Sequence, residues 1–175
     1  LLFNYGVRIN DDLIMDLQAA PIPIVTGLIG DKPKQELFPW YYFPLITPTQ
    51  NHPVVKNLNA IRTEFVSSLD TINSPGIKKN ILLTTSRHSR IQMPPARVSL
   101  NILQESPRPE QFNKSFVPVA VLLEGSFKSN FFNRIPTSVA NAPEIGFKSE
   151  GVHSKIIVAG DGDLAGSHVS KSGTI

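Results

Sequence analysis

Apolar residues in this chain fall into short runs broken by proline and glycine, and few of the runs hold a helical period. Residues 81–83, 119–123 and 156–159 are continuous apolar stretches, the signature of strands buried on both faces. "LIMDL" (13–17) reads as a short buried strand. "RVSLNIL" (97–103) alternates Val98, Leu100 and Ile102, which predicts a half-exposed strand. "AIRTEFVSSLDTI" (60–72) fits a strand that becomes a loop. "ELFPWYYFPLIT" (36–47) is aromatic but contains Pro39 and Pro44, so it predicts an edge strand or an extended segment. Residues 20–36 carry Pro21, Pro23, Gly27, Gly30 and Pro33, a density that suits an extended loop or an irregular hairpin.

Helical signals are fewer. Leu1–Tyr5 reads as the end of a helix stopped by Gly6 in the left-handed conformation. Asn51 is placed to cap a short helix with His52-Pro53 in its first turn. Residues 87–97, 104–116 and 128–154 are polar, proline-bearing and expected as loops. The two-sided apolar runs together predict one α/β domain over residues 1–175, built on a central, mostly parallel sheet with long loops. Its covering helices are sparse in this stretch, so loops and edge strands are expected to share the covering.

Composition narrows the function classes. A hydrophobic fraction of 41% supports a real core and excludes a disordered segment. The net charge is only +3, and the 17 Lys and Arg are scattered rather than gathered into the stripe that nucleic acid requires. The absence of cysteine excludes disulfides, thiol catalysis and Cys-ligated zinc. His52, His88, His153 and His168 are too dispersed for a paired-histidine metal site. The chain starts at Leu1 and stops at Ile175 without a tail, which reads as a piece of a longer polypeptide.

Three stretches are candidates for chemistry. "KIIVAGDGDLAGS" (155–167) runs a strand into Asp161, Asp163 and three glycines. A phosphate loop needs a lysine before its final hydroxyl, and none precedes Ser167. A dinucleotide loop would meet repulsion from both aspartates. An aspartyl-phosphate site would need a lysine and further acids downstream, a lone Mg²⁺ site stays open because hard cations take carboxylate oxygens, and the simplest reading is a backbone turn in which Asp163 or Ser167 caps the next helix. "LLTTSRHSR" (82–90) places Ser86 and Arg87 at a strand end, where an open sheet can hold a small anion. Thr84 and His88 stand where a nucleophile elbow needs glycine, which argues against a serine hydrolase. "FPWYYF" (38–43) offers Trp40, Tyr41 and Tyr42 either to the core or as an aromatic partner surface.

Taken in order, "YGVRINDDLIMDLQAAPIPI", the long 36–72 stretch, "KKNILLTTSRHSR", "PARVSLNIL", "PVAVLLEGSFKSNFFNR" and "KIIVAGDGDLAGS" resemble the GldG family, gliding-motility-associated ABC transporter substrate-binding proteins of Bacteroidetes. The resemblance spans nearly the whole chain and carries no catalytic signature. It implies a Rossmann-like, flavodoxin- or amidotransferase-like sandwich. It also implies an extracytoplasmic, periplasmic-face location, with membrane anchoring by segments outside this stretch. The implied role is a non-enzymatic accessory domain partnered with permease and ATPase subunits, without cofactor, resident metal or nucleic acid. Partner contacts are expected at Trp40, Tyr41 and Tyr42 and in the 104–116 and 128–154 loops. The alternative is a small-ligand or carbohydrate site at the strand ends, formed by Ser86, Arg87, Asp161 and Asp163.

Overall fold

A computed structural model describes residues 1–48 and 52–166. Its strands in chain order are β1 (Val7–Ile9), β2 (Leu13–Asp16), β3 (Ala19–Ile29), β4 (Lys32–Ile46), β5 (Ile61–Arg62), β6 (Leu69–Thr71), β7 (Ile77–Thr84), β8 (Ser89–Gln92), β9 (Pro118–Lys128) and β10 (Glu150–Ala159). Among the described residues the one α-helix is α1 (Thr137–Ala140), a single turn. The strands form four small sheets ordered β10-β9-β7, β3-β4-β5, β2-β8 and β1-β6, and every pairing is antiparallel.

This overturns the expected α/β, Rossmann-like sandwich around a mostly parallel sheet. The three apolar runs are indeed neighbours, but they pair antiparallel, and strands and loops do the covering in place of helices. Strand β9 shows why. Ala120 and Leu122 pack into a cluster with Ile14, Ile46, Val66 and Leu82, while Val121 and Leu123 pack into another with Val7 and Leu69. Both faces of β9 are therefore dry, which accounts for its unbroken apolar run. Burying each such side chain is worth roughly 1.5–3 kcal/mol. Strand β10 is an edge, with Val158 buried but Ile157 53% exposed, so the expectation of a second fully buried strand fails there.

The remaining differences are local. Residues 97–103 form no strand; a 3-10 turn spans Leu100–Gln104, and the Ser99 hydroxyl caps it by accepting from the Asn101 N–H. Strand β8 lies inside the stretch expected to be loop. Residues 53–57 form turns rather than a helix, and the Asn51 cap lies outside the described residues. Leu2–Tyr5 is a 3-10 turn that ends at Gly6 with φ 89°, as the αL stop requires.

Single hydrogen bonds stitch the sheets together. The Ile14 N–H donates to Val66 O (2.9 Å), Leu45 N–H to Gln18 O (2.9 Å) and Thr63 N–H to Pro44 O (3.0 Å). The β3–β4 hairpin turns at Gly30 (φ 60°) and extends well past the core. Its inner half is buried from Trp40 to Pro44, whereas from Val25 through Gln35 every residue is exposed. Pro23, Val25, Leu37 and Pro39 share one outward face of this arm, by register and alternation. Proline survives inside a ladder only where its missing N–H would point outward. Pro21, Pro23, Pro33 and Pro39 therefore strip donors from the arm's free edges.

Gly160 marks the tightest approach between segments. Its N–H donates to Val119 O and its carbonyl accepts from the Ser67 N–H, and a Cβ there would sit 2.0 Å from Ser67 O. Backbone cannot yield as a flexible side chain does. We expect Gly160→Ala to lower the unfolding free energy by about 3 kcal/mol, read by urea denaturation. An unchanged midpoint would show that the two backbones separate freely.

Candidate functional site

Strands β7 and β10 both pair antiparallel with β9, so they run in the same direction and end at the same end of the sheet. The Thr85 N–H donates to Val117 O and the Gly160 N–H to Val119 O, both at 2.9 Å. The structure thus brings the Ser86–Arg87 loop and the Asp161–Asp163 turn to one end of one sheet, flanking the start of β9. Two of the four candidate groups, those of Ser86 and Asp161, face inward. The Ser86 hydroxyl donates to Asp16 Oδ1 (2.6 Å) and its N–H donates to Asp16 Oδ2 (2.8 Å). Asp161 accepts from the Glu64 N–H (2.9 Å) and the Asp163 N–H (2.8 Å). Its carboxylate is a tie between a turn and a distant loop. Arg87 and Asp163 are exposed. None of these four residues lines the cleft beside Arg90 and Phe112 or the one beside Tyr5 and His153. The alternative cap, Ser167, lies outside the described residues.

Asp16 is fully buried, a position that sequence reasoning misses. Burial pushes its carboxyl above the ordinary aspartate range, opposed by hydrogen bonds from Ser86 and Gln18 and by the nearby His88. "MDL" at a strand end is the available sign, yet nothing local says that its acid points inward.

The aromatic segment is interior. Trp40, Tyr41 and Tyr42 are 4%, 7% and 2% exposed, so none presents an open ring face to a partner. Trp40 packs on Tyr42 at 5.3 Å, while Tyr41 meets Phe112 edge-on at 5.9 Å. All of these rings, with Phe43, belong to one buried cluster. The Tyr42 hydroxyl donates to Gln92 Oε1 (2.7 Å). Burial raises the pKa of this hydroxyl, with Arg90 and Gln92 opposing.

Three surface features escape the sequence reading. The first is the projecting β3–β4 arm, whose Val25, Leu28, Ile29 and Leu37 are 57%, 71%, 68% and 69% exposed. The second is a cleft of about 240 Å³ beside Tyr41, Arg90, Arg108 and Phe112. The third is a cleft of about 770 Å³ at the other end of the β10-β9-β7 sheet, walled by Tyr5, Lys78, Lys128, Phe132, Arg134 and His153. Within the third, Glu124 is held by Lys155 (2.9 Å) and Asn80 (2.9 Å). The hydrogen bond from Lys155 sets the Glu124 carboxyl below its usual range. Among the described residues no three metal-type side chains converge, and no helix is long and apolar enough to cross a membrane.

The chain is thus a mostly-β module that projects an apolar arm and holds Asp16 and Asp161 as internal ties. Over residues 1–173 it matches the family described as ABC-type uncharacterized transport system, and the chain belongs to that family, an auxiliary component of ABC-type transport systems. No curated protein and no solved structure matches it.

Two stability outcomes come from Asp16. Asp16→Ala leaves the Ser86 hydroxyl and the Ser86 and Gln18 N–H groups without their acceptor, and should cost about 2–3 kcal/mol. The pH dependence has a definite sign. A carboxyl whose folded pKa is raised favours the folded state fully below the unfolded value, and that advantage is lost as pH rises through the folded value. The stability of the native protein relative to Asp16→Asn should therefore fall as pH is raised from the acid side through the carboxylate range. Denaturation midpoints measured across that range check the slope, and a rising difference would contradict it.

Proposed function

We propose that this chain is a non-enzymatic interaction domain of its transport system, and that the β3–β4 arm docks on the permease subunit. The observation that supports this reading is the arm itself. Leu28 and Ile29 stand at its tip and Val25 and Leu37 on its face, all exposed and apolar, on the outer half of a ribbon whose inner half carries the core aromatics. An exposed apolar patch of this kind has no role in stabilising the domain and is the usual sign of a contact surface. Membership in an auxiliary transport family supplies the occupant, a subunit of the same transporter. The arm takes the partner role in place of Trp40, Tyr41 and Tyr42, which are committed to the core.

The likeness of ordered segments to the gliding-motility family extends the proposal to a transporter of that kind, with this domain on the periplasmic face of the inner membrane and anchored by other segments of the protein. The reading of a small-ligand or carbohydrate site at the strand ends keeps only Arg87 and Asp163 as exposed groups, and no observation favours it over the arm.

The test uses the full-length protein in detergent-solubilised membranes. Leu28→Ser combined with Ile29→Ser should leave stability within about 0.5 kcal/mol, because both side chains are already in water. Recovery of the permease by affinity purification should drop by about tenfold, equivalent to about 1.4 kcal/mol. Undiminished recovery would remove the arm from the interface.

A further inference from the structure

The 770 Å³ cleft lies where β7 begins, β9 ends and β10 begins, at the opposite end of the sheet from Ser86 and Asp161. Its size is that of a site for a small molecule. Part of its wall is bare backbone. Gly125 has φ 158° and Gly76 φ 78°, and a Cβ on Gly125 would lie 2.5 Å from Gly76 O. Neither position puts a side chain into the space, and a side chain at Gly125 has no room.

Charge in the cleft is unbalanced. Lys78 comes from β7, Lys128 from the end of β9 and Arg134 from the turns after it. Among the described residues none of these three has a carboxylate within ion-pair distance. The lining carboxylates are Glu124 and Glu150, and Glu124 is already matched by Lys155. Lys78 also faces Glu124 across the strand pair, so Lys78, Lys128, Arg134 and Lys155 are set against two carboxylates. The positions are braced. The Tyr5 hydroxyl donates to Lys128 O (3.0 Å), the Lys128 ammonium lies 5.8 Å from the Phe132 ring centre, and the Arg134 N–H donates to Phe131 O (2.9 Å). Cations drawn together from separate segments repel one another unless an anion joins them.

We propose that this cleft binds a phosphate-bearing ligand, with Lys78, Lys128 and Arg134 as its charge clamp and the glycine-lined wall giving the phosphate close access. An arginine fork with two lysines matches a group that carries more than one negative charge and three acceptor oxygens. The phosphate belongs either to a soluble molecule or to a lipid headgroup. The site shares no residue with the β3–β4 arm, so its fate and that of the docking proposal are independent.

Calorimetric titration of the full-length protein with pyrophosphate, and co-sedimentation with phosphatidylglycerol vesicles against phosphatidylcholine vesicles, separate the two sources. Saturable pyrophosphate binding, weakened about tenfold by each of Lys128→Gln and Arg134→Gln and falling with added salt, supports a soluble ligand. Binding to anionic vesicles only, lost in the same two variants and retained in Lys34→Gln, supports a headgroup. Both lysines and the arginine are exposed, so the variants should fold. Absence of both kinds of binding overturns the proposal, as does binding that the two variants leave intact. Citrate binding as tightly as pyrophosphate overturns the assignment to phosphate.

Discussion

Ala120 to Leu123 have no solvent side: successive side chains enter two different cores, and each core must be closed by something other than a helix. That requirement sets the architecture. One core is closed by residues from β2, β4 and the loop through Val66, the other by the N-terminal strand, Leu69 and the edge strand β10. No single element covers either core alone. The covers have to be fastened to one another, and the fastening falls to isolated backbone bonds and to buried acids.

Those acids form a recurring device. Asp12 accepts from the N–H and hydroxyl of Ser68, Asp16 from the N–H and hydroxyl of Ser86, and Asp161 from the N–H groups of Glu64 and Asp163. Each replaces a missing ladder bond where one small sheet stops and another begins. A buried carboxylate with two or three donors is strongly anchored, and it is costly to disturb from either side. The cost of Asp16's burial appears as its raised pKa. Asp161, which looks like a ligand in the linear sequence, is thus committed to the fold.

The strands were legible because apolar runs and proline breaks report burial directly. The Leu13–Asp16 strand, the irregular hairpin and the β9 run were all readable in this way. Strand direction was not, since an apolar run says that both faces are covered without saying by what. Alternation at Val98, Leu100 and Ile102 pointed to a strand, but a local cap from Ser99 decided for a 3-10 turn, leaving Val98 and Leu100 exposed. Site residues were harder still. Ser86 and Asp161 lie at one sheet end, but their partners lie 70 and 97 positions away in sequence. The cationic cleft draws its walls from several distant segments, so no linear window displays it. Exposed Leu28 and Ile29 ran against the ordinary expectation that such residues are interior.

The prolines of the projecting ribbon have a consequence for crowding. Copies of an auxiliary protein gathered around one transporter meet at high local density, where a bare apolar ribbon ordinarily templates the next chain and grows into a fibre. With N–H groups missing at Pro21, Pro23, Pro33 and Pro39, successive chains cannot complete a continuous ladder along it. The ribbon can stay sticky on its face while refusing to polymerise along its margin.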